Sequence, residues 1–189
     1  MDSPRTELIL GGQKSGKSSR AERLALDWLQ ADHANSAVLI ATGLPGDAEM
    51  AERIERHRQD RAVRAPGLQT VEAPLRLADA MHRVSASKTL VVVDCLTLWL
   101  TQLLMPMEGA GVGSETLQTL IEELSAAVRE APGPLVLVSN EIGLGVIPLG
   151  REVRGFVDAL GLLNQAVAAR CERVTLMAAG CPLAMKGAA

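Results

Sequence analysis

"LILGGQKSGKSSRAE", Leu8 to Glu22, decides the reading of this chain. An apolar run ends in two glycines. Two of the chain's four lysines, Lys14 and Lys17, follow at once, and then a stretch of helix formers. Gly11-x-x-x-x-Gly16-Lys17-Ser18 is a complete P-loop pattern. Gly11, Gly12 and Gly16 let the backbone wrap so that the N–H groups along Gln13, Lys14 and Ser15 face phosphate oxygens. The helix that opens near Lys17 adds its positive dipole end. Lys17 brings an ammonium to the β- and γ-phosphates, and the Ser18 hydroxyl ligates Mg²⁺. Lys14 has two readings, a second charge near the phosphates or a solvated loop lysine. By residue frequencies such a match arises by chance on the order of once in a hundred chains of this length.

Outward from that stretch, short apolar runs alternate with longer helical patterns. Strands are expected at Glu7–Gly11, Ala37–Ala41, Gln69–Glu72, Thr89–Asp94, Pro134–Ser139 and Val174–Ala178, with Leu183–Lys186 as an edge strand. Helices are expected at Lys17–Gln30, Asp47–Gln59, Pro74–Val84, Ser114–Glu130 and Glu152–Arg170, Asp47 and Ser114 acting as caps. Met105–Gly113 and Gly143–Gly150 read as loops. The central runs are continuously apolar, as parallel strands covered on both faces are. The pattern predicts an α/β fold with a doubly wound, mostly parallel sheet and helices on both faces. No linker divides it, so residues 1–189 read as one P-loop nucleotide-binding domain.

Composition excludes several classes. Trp28, Trp99 and Phe156 are the only aromatic residues, and the net charge is −3. Stacked single-stranded nucleic acid and an extended polyanion surface are both disfavoured. The apolar runs are too short to span a membrane, and Met1 to Glu7 carries no signal peptide. Cys95, Cys171 and Cys181 suit neither a disulfide framework nor a zinc site, so buried thiols in the cytoplasm are expected.

Asp94 ends the strand TLVVVD, where a P-loop protein places the carboxylate that holds the Mg²⁺ shell. A strand-end aspartate that caps a turn is the alternative. A second cluster lies in DAEMAERIERHRQDR, Asp47 to Arg61. Met50, Ile54, His57 and Arg61 recur at helical spacing, Arg53 and Arg61 stand one turn either side of His57, and Arg56 and Arg58 flank it. Such neighbours disfavour the imidazolium and leave the nucleophilic neutral ring. The plainer reading is a solvated, charge-laced helix with a surface histidine. His33 and His82 lack such neighbours and read as surface residues.

Taken together these residues resemble the bifunctional adenosylcobinamide kinase/adenosylcobinamide-phosphate guanylyltransferases of cobalamin biosynthesis. The resemblance runs through GGQKSGKSSRAE, IATG, DAEMAERIERHRQDR, TVEAP, VVVDCLTLWLTQLL, VSNEIGLGVIP and LNQAVAARCERVTLMAAGCPL, in order over nearly the whole chain. The histidine helix and the SNE-x-G-x-G-x-x-P stretch are its specific parts. The resemblance implies a RecA-like sheet, a homotrimer and two reactions. ATP or GTP phosphorylates adenosylcobinamide. GTP then guanylylates a histidine, and the GMP passes to adenosylcobinamide phosphate. His57 matches the guanylylated histidine and Gly11 to Ser18 the P-loop. Ala41, Thr42, Gly43, Arg58, Gln59, Asp60, Arg61, Glu72 and Asp94 match positions that contact the guanine nucleotide. Asp94 thus has two possible duties, metal or guanine. A kinase without the histidine step and a non-catalytic GTP-binding module are the competing readings.

Overall fold

The computed structural model describes residues 5–46 and 48–187, with Met50, Arg53 and His57 described at the backbone alone. Strands β1 (Thr6–Gly11), β2 (Ser36–Ala41), β3 (Gln69–Glu72), β4 (Thr89–Asp94), β5 (Leu135–Val138), β6 (Arg173–Ala178) and β7 (Cys181–Lys186) form one sheet. Their order is β3-β2-β4-β5-β1-β6-β7. All pairings are parallel except that of β7 on β6. The helices are α1 (Lys17–Ala31), α2 (Ala48–Arg64), α3 (Leu77–Val84), α4 (Leu96–Leu104), α5 (Ser114–Glu130) and α6 (Arg151–Arg170). The expected doubly wound α/β sheet is what forms.

Side chains alternate along each strand, so the sheet has two apolar faces. Leu8, Leu10, Val91, Val93, Leu135 and Leu137 face α3, α4, α5 and α6 in the larger core. Ile9, Leu39, Val92, Val136 and Val138 face Ala21 and Ala25 of α1 in the smaller one. No described residue of α2 belongs to either core. Its described side chains are exposed except Ile54 and Arg61, which are half-buried.

Several elements depart from the sequence expectation. Helix α4 was not expected, because CLTLWLTQLL is apolar almost all round and carries no cap signal. The structure shows why: Leu96, Trp99, Leu100 and Leu103 are buried under α6, and the Trp99 ring N–H donates to the Leu75 carbonyl at 2.8 Å. Helix α2 runs to Arg64 rather than Gln59, held there by side-chain pairs. Helix α3 starts at Leu77, three residues later than expected. Ser114 opens α5 from inside the helix, and Gly113 takes the cap position with no side-chain bond. The expected cap Asp47 lies outside the described residues.

The final hairpin turns on Ala179 (φ 51°) and Gly180 (φ 81°), the pair of left-handed residues that a tight two-residue hairpin needs. It starts β7 at Cys181, which is exposed rather than buried. Burial pushes the Cys171 thiol up to about 12, and burial together with Asp94 pushes Cys95 to about 11, so both are inert near neutral pH. Among the described residues no helix is long and apolar enough to cross a membrane.

Candidate active site

The P-loop joins the end of β1 to the start of α1. Gly11 takes φ 150° and Gly16 φ 101°, both in the region that favours glycine. A Cβ on Gly11 would strike the Met177 carbonyl oxygen and stand 2.6 Å from Ser15 Oγ. The β6–β7 turn supports the loop from behind, with Gly180 N donating to the Ser15 carbonyl at 3.0 Å. Helix α1 has no side-chain cap, so no side chain competes with an anion for its first N–H groups. Ser15 Oγ is buried without a hydrogen-bond partner. Lys17 is 8% exposed and folds its Nζ onto the Gly12 carbonyl at 2.6 Å. Burial lowers its pKa, and the nearby Cys95 and Asp94 partly offset that. The loop is therefore a preformed cradle of backbone donors with a buried ammonium. Gln13 and Lys14 are exposed on its rim, Lys14 at φ 54°.

The sheet brings the remaining motif residues to the same edge. Glu72 pairs with Ala41, and Ala41 pairs with Asp94, so the three form one row across β3, β2 and β4. Asp94 pairs with Val138 of β5, and Val138 with Ile9 of β1. Strands are about 4.8 Å apart, so Asp94 lies roughly 10 Å from β1 and Glu72 roughly 20 Å from it. This carboxyl edge is where open α/β sheets take ligands. Thr42 is fully buried, and its hydroxyl is committed to Cys95: it accepts from Cys95 N at 2.9 Å and donates to Cys95 O at 2.7 Å. It clamps the end of β2 to the turn after Asp94. Gly43 is kept small by Leu98, whose Cδ1 would meet an added Cβ at 3.2 Å.

The SNE stretch leaves β5 beside the P-loop. Glu141 N donates to the Gly11 carbonyl at 3.1 Å, and Thr97 Oγ1 accepts from Asn140 N at 2.8 Å. Buried Asn164 of α6 donates to the Asn140 carbonyl at 3.0 Å.

On α2 the His57 side chain lies outside the described residues, and its backbone sits mid-helix. The described arginines around it are paired. Arg56 meets Glu52 at 2.9 Å, Arg58 meets Glu55 at 4.0 Å, and Arg61 meets Glu22 at 4.0 Å. The cationic field expected from sequence is therefore partly neutralised by carboxylates one turn away or across on α1. Gln59 donates to Glu55 at 3.0 Å and Asp60 pairs with Arg64 at 2.8 Å, both on the surface. Arg61 turns inward, donating to Thr70 Oγ1 at 3.1 Å. Glu22 and Arg64 were not expected at the site. A carboxylate beside Ala21 and Ala25, on the buried face of α1, was the available signal.

Hard oxygen donors suit Mg²⁺, which keeps most of its waters and takes few protein ligands. Ser18 and Asp94 are such a pair, with Asp94 close enough to act on the Lys17 ammonium. Among the described residues no group of three or more His, Cys, Asp or Glu could form a dedicated metal cage.

Comparison with known proteins agrees with this geometry. The family described as "Cobinamide kinase / cobinamide phosphate guanyltransferase" matches residues 7–185. The bifunctional adenosylcobalamin biosynthesis protein CobP of Pseudomonas aeruginosa is 45% identical over 181 residues, covering 96% of this chain and 97% of that protein. CobU of Escherichia coli is 34% identical over 187 residues, covering 95% and 98%. Among solved structures, the flagellar accessory protein FlaH of Methanocaldococcus jannaschii shares the fold, with TM-score 0.52 at 14% identity over 97% of this chain and 80% of that one. On the family match and these relatives, the chain belongs to the cobinamide kinase/cobinamide phosphate guanyltransferase family.

Proposed function

We infer that this chain performs both reactions of its family, on one nucleotide edge. In the first, the aminopropanol hydroxyl of adenosylcobinamide attacks the γ-phosphorus of ATP or GTP, releasing the nucleoside diphosphate. In the second, a ring nitrogen of His57 attacks the α-phosphorus of GTP and releases pyrophosphate. The phosphate of adenosylcobinamide phosphate then displaces the histidine, giving adenosylcobinamide-GDP. The preformed cradle carries this reading: uncapped α1, buried Lys17 at 2.6 Å from the Gly12 carbonyl, and Asp94 across β5. Backbone donors and Lys17 hold the phosphates and meet the charge that develops on transfer.

Ser18 and Asp94 would hold Mg²⁺, which supplies charge neutralisation on the phosphates. The row across the strands favours splitting the carboxylates. Asp94, near Lys17, serves the phosphate end, and exposed Glu72, two strands further out, accepts the N–H donors of guanine. Backbone groups of Ala41 and Gly43 and the Arg58–Arg61 segment flank the nucleotide between them. Assembly as a homotrimer would cover some of the exposed apolar loop, where Leu144 is 82%, Val146 97% and Leu149 97% exposed. We place the enzyme in the cytoplasm, where a thiol such as Cys171 stays reduced.

His57→Asn tests the two-step scheme. The amide is no comparable nucleophile, whereas γ-phosphoryl transfer to a hydroxyl needs no imidazole. The variant should phosphorylate adenosylcobinamide yet take up no label from α-labelled GTP. The wild-type adduct should be acid-labile and alkali-stable, as a phosphoramidate is. Wild-type protein that phosphorylates without ever carrying GMP would be a kinase only. GTP binding without turnover would make it a regulatory module.

A further inference from the structure

We propose that Glu22 is a positioning residue for the guanylyl step: its buried carboxylate on α1 holds Arg61 and Arg64 and so sets the rotation of α2, and of the His57 position, against the phosphate cradle. The inference rests on the reading of His57 as nucleophile.

Glu22 is 3% exposed, on the flank of α1 one turn beyond Ser18. Its Oε2 takes Arg64 Nη1 at 3.1 Å, and its Oε1 faces Arg61 Nε at 4.0 Å. Arg61 Nε is buried with no hydrogen-bond partner, so this carboxylate is its charge partner. Burial raises the Glu22 pKa, Arg64 and Arg61 lower it, and Asp94 and Asp60 raise it again. Glu22 therefore senses both the Asp94 end of the sheet and the far helix.

A buried charge of this kind is poor evidence of stability, because a matched apolar group is often as good. Its use is in specifying one arrangement. Helix α2 needs such a device, since no described residue of α2 enters either core. At 100° per residue, positions 57, 61 and 64 fall within about 60° of one another around the helix. Two arginines on one carboxylate therefore orient the face that carries the His57 position. Arg64 Nη1 also reaches Ser19 Oγ at 3.0 Å, and Arg61 Nη1 reaches Thr70 at 3.1 Å, tying α2 to the first turn of α1 and to β3.

The test uses full-length protein with Glu22→Gln, Arg64→Met and Arg64→Lys. Adenosylcobinamide phosphorylation, the rate of labelling from α-labelled GTP at saturation, and the KM for GTP are read on each. Glu22→Gln should keep phosphorylation within about twofold and the KM nearly unchanged, while labelling slows by about tenfold or more, as misplacement of a reacting group does. Arg64→Met should do the same in smaller measure, and Arg64→Lys should recover most of the rate. Should Glu22→Gln fail to fold, the Arg64 pair decides. Parallel loss of both activities, or wild-type labelling, overturns the positioning role. His57→Asn run alongside separates the failures, because label on that variant removes the nucleophile reading itself.

Discussion

In the proposed scheme the P-loop and helix α2 carry the two chemical steps, and the two regions are built in opposite ways. The loop is locked by backbone: left-handed glycines, a carbonyl of β6 against Gly11, and the β6–β7 turn bonded to Ser15. Its charged residue Lys17 is buried. Among the described residues of helix α2 none enters either apolar core, and their attachments are ion pairs and half-buried Ile54. In that scheme one phosphate cradle serves both reactions and gains from permanence. A nucleophile acting at the α-phosphorus in that scheme needs one defined rotation of its helix, and ion pairs to a buried carboxylate specify it where the described residues supply no core packing.

The sharpest way to break that contrast is at Lys17. Lys17→Ala should slow both reactions by about 10²–10³-fold or more, by analogy with removal of a single transition-state donor. Steady-state assays of each half-reaction check this, and wild-type phosphorylation in the variant would end the assignment of a shared cradle.

Gly11→Ala attacks the backbone lock. Its φ of 150° and the approach of Met177 leave no room for a methyl group. Strain of about 1–3 kcal/mol should lower the melting temperature by roughly 2–12 °C. Nucleotide binding and both activities should fall together, unlike the split expected from changes on α2. Calorimetry with and without GTP reads this directly, and an unchanged melting temperature would show that the loop is not held by close packing.

The smallest effect should come at the outer end of the row, with Glu72→Gln. An amide accepts one guanine N–H but presents its own donor to the other. Preference for GTP over ATP in the guanylyl step should drop by about tenfold, the worth of one charge-assisted hydrogen bond. Competition between the two nucleotides measures it. Unchanged preference would move the base pocket away from β3.

Much of this was legible from residues alone. The P-loop spacing, the strand ending in Asp94 and the alternation of runs each carry a local mechanism, and they led to the α/β sheet and to its nucleotide edge. Helix α4 was hidden because apolar residues on nearly every side blur the 3.6-residue period on which a helix reading depends, although the buried Leu96, Trp99, Leu100 and Leu103 share one face. The field around His57 depends on pairing as well as on the arginines: Glu52 and Glu55 stand one turn from Arg56 and Arg58 and are legible from helix spacing, whereas Glu22 opposite Arg61 is seen only in space. Thr42 matched a nucleotide position, and the structure shows its hydroxyl spent on Cys95.

The sequence by itself determined the cradle, because a P-loop is made from contiguous residues whose spacing carries its geometry. Tertiary structure alone decided what lies around it. Glu72, Ala41 and Asp94 come from three separate strands and share a row only through sheet register. Glu22 meets Arg61 and Arg64 across about forty residues of chain only because α2 packs on α1. Hydrogen-bond register and helix packing are non-local, so no window of sequence contains them.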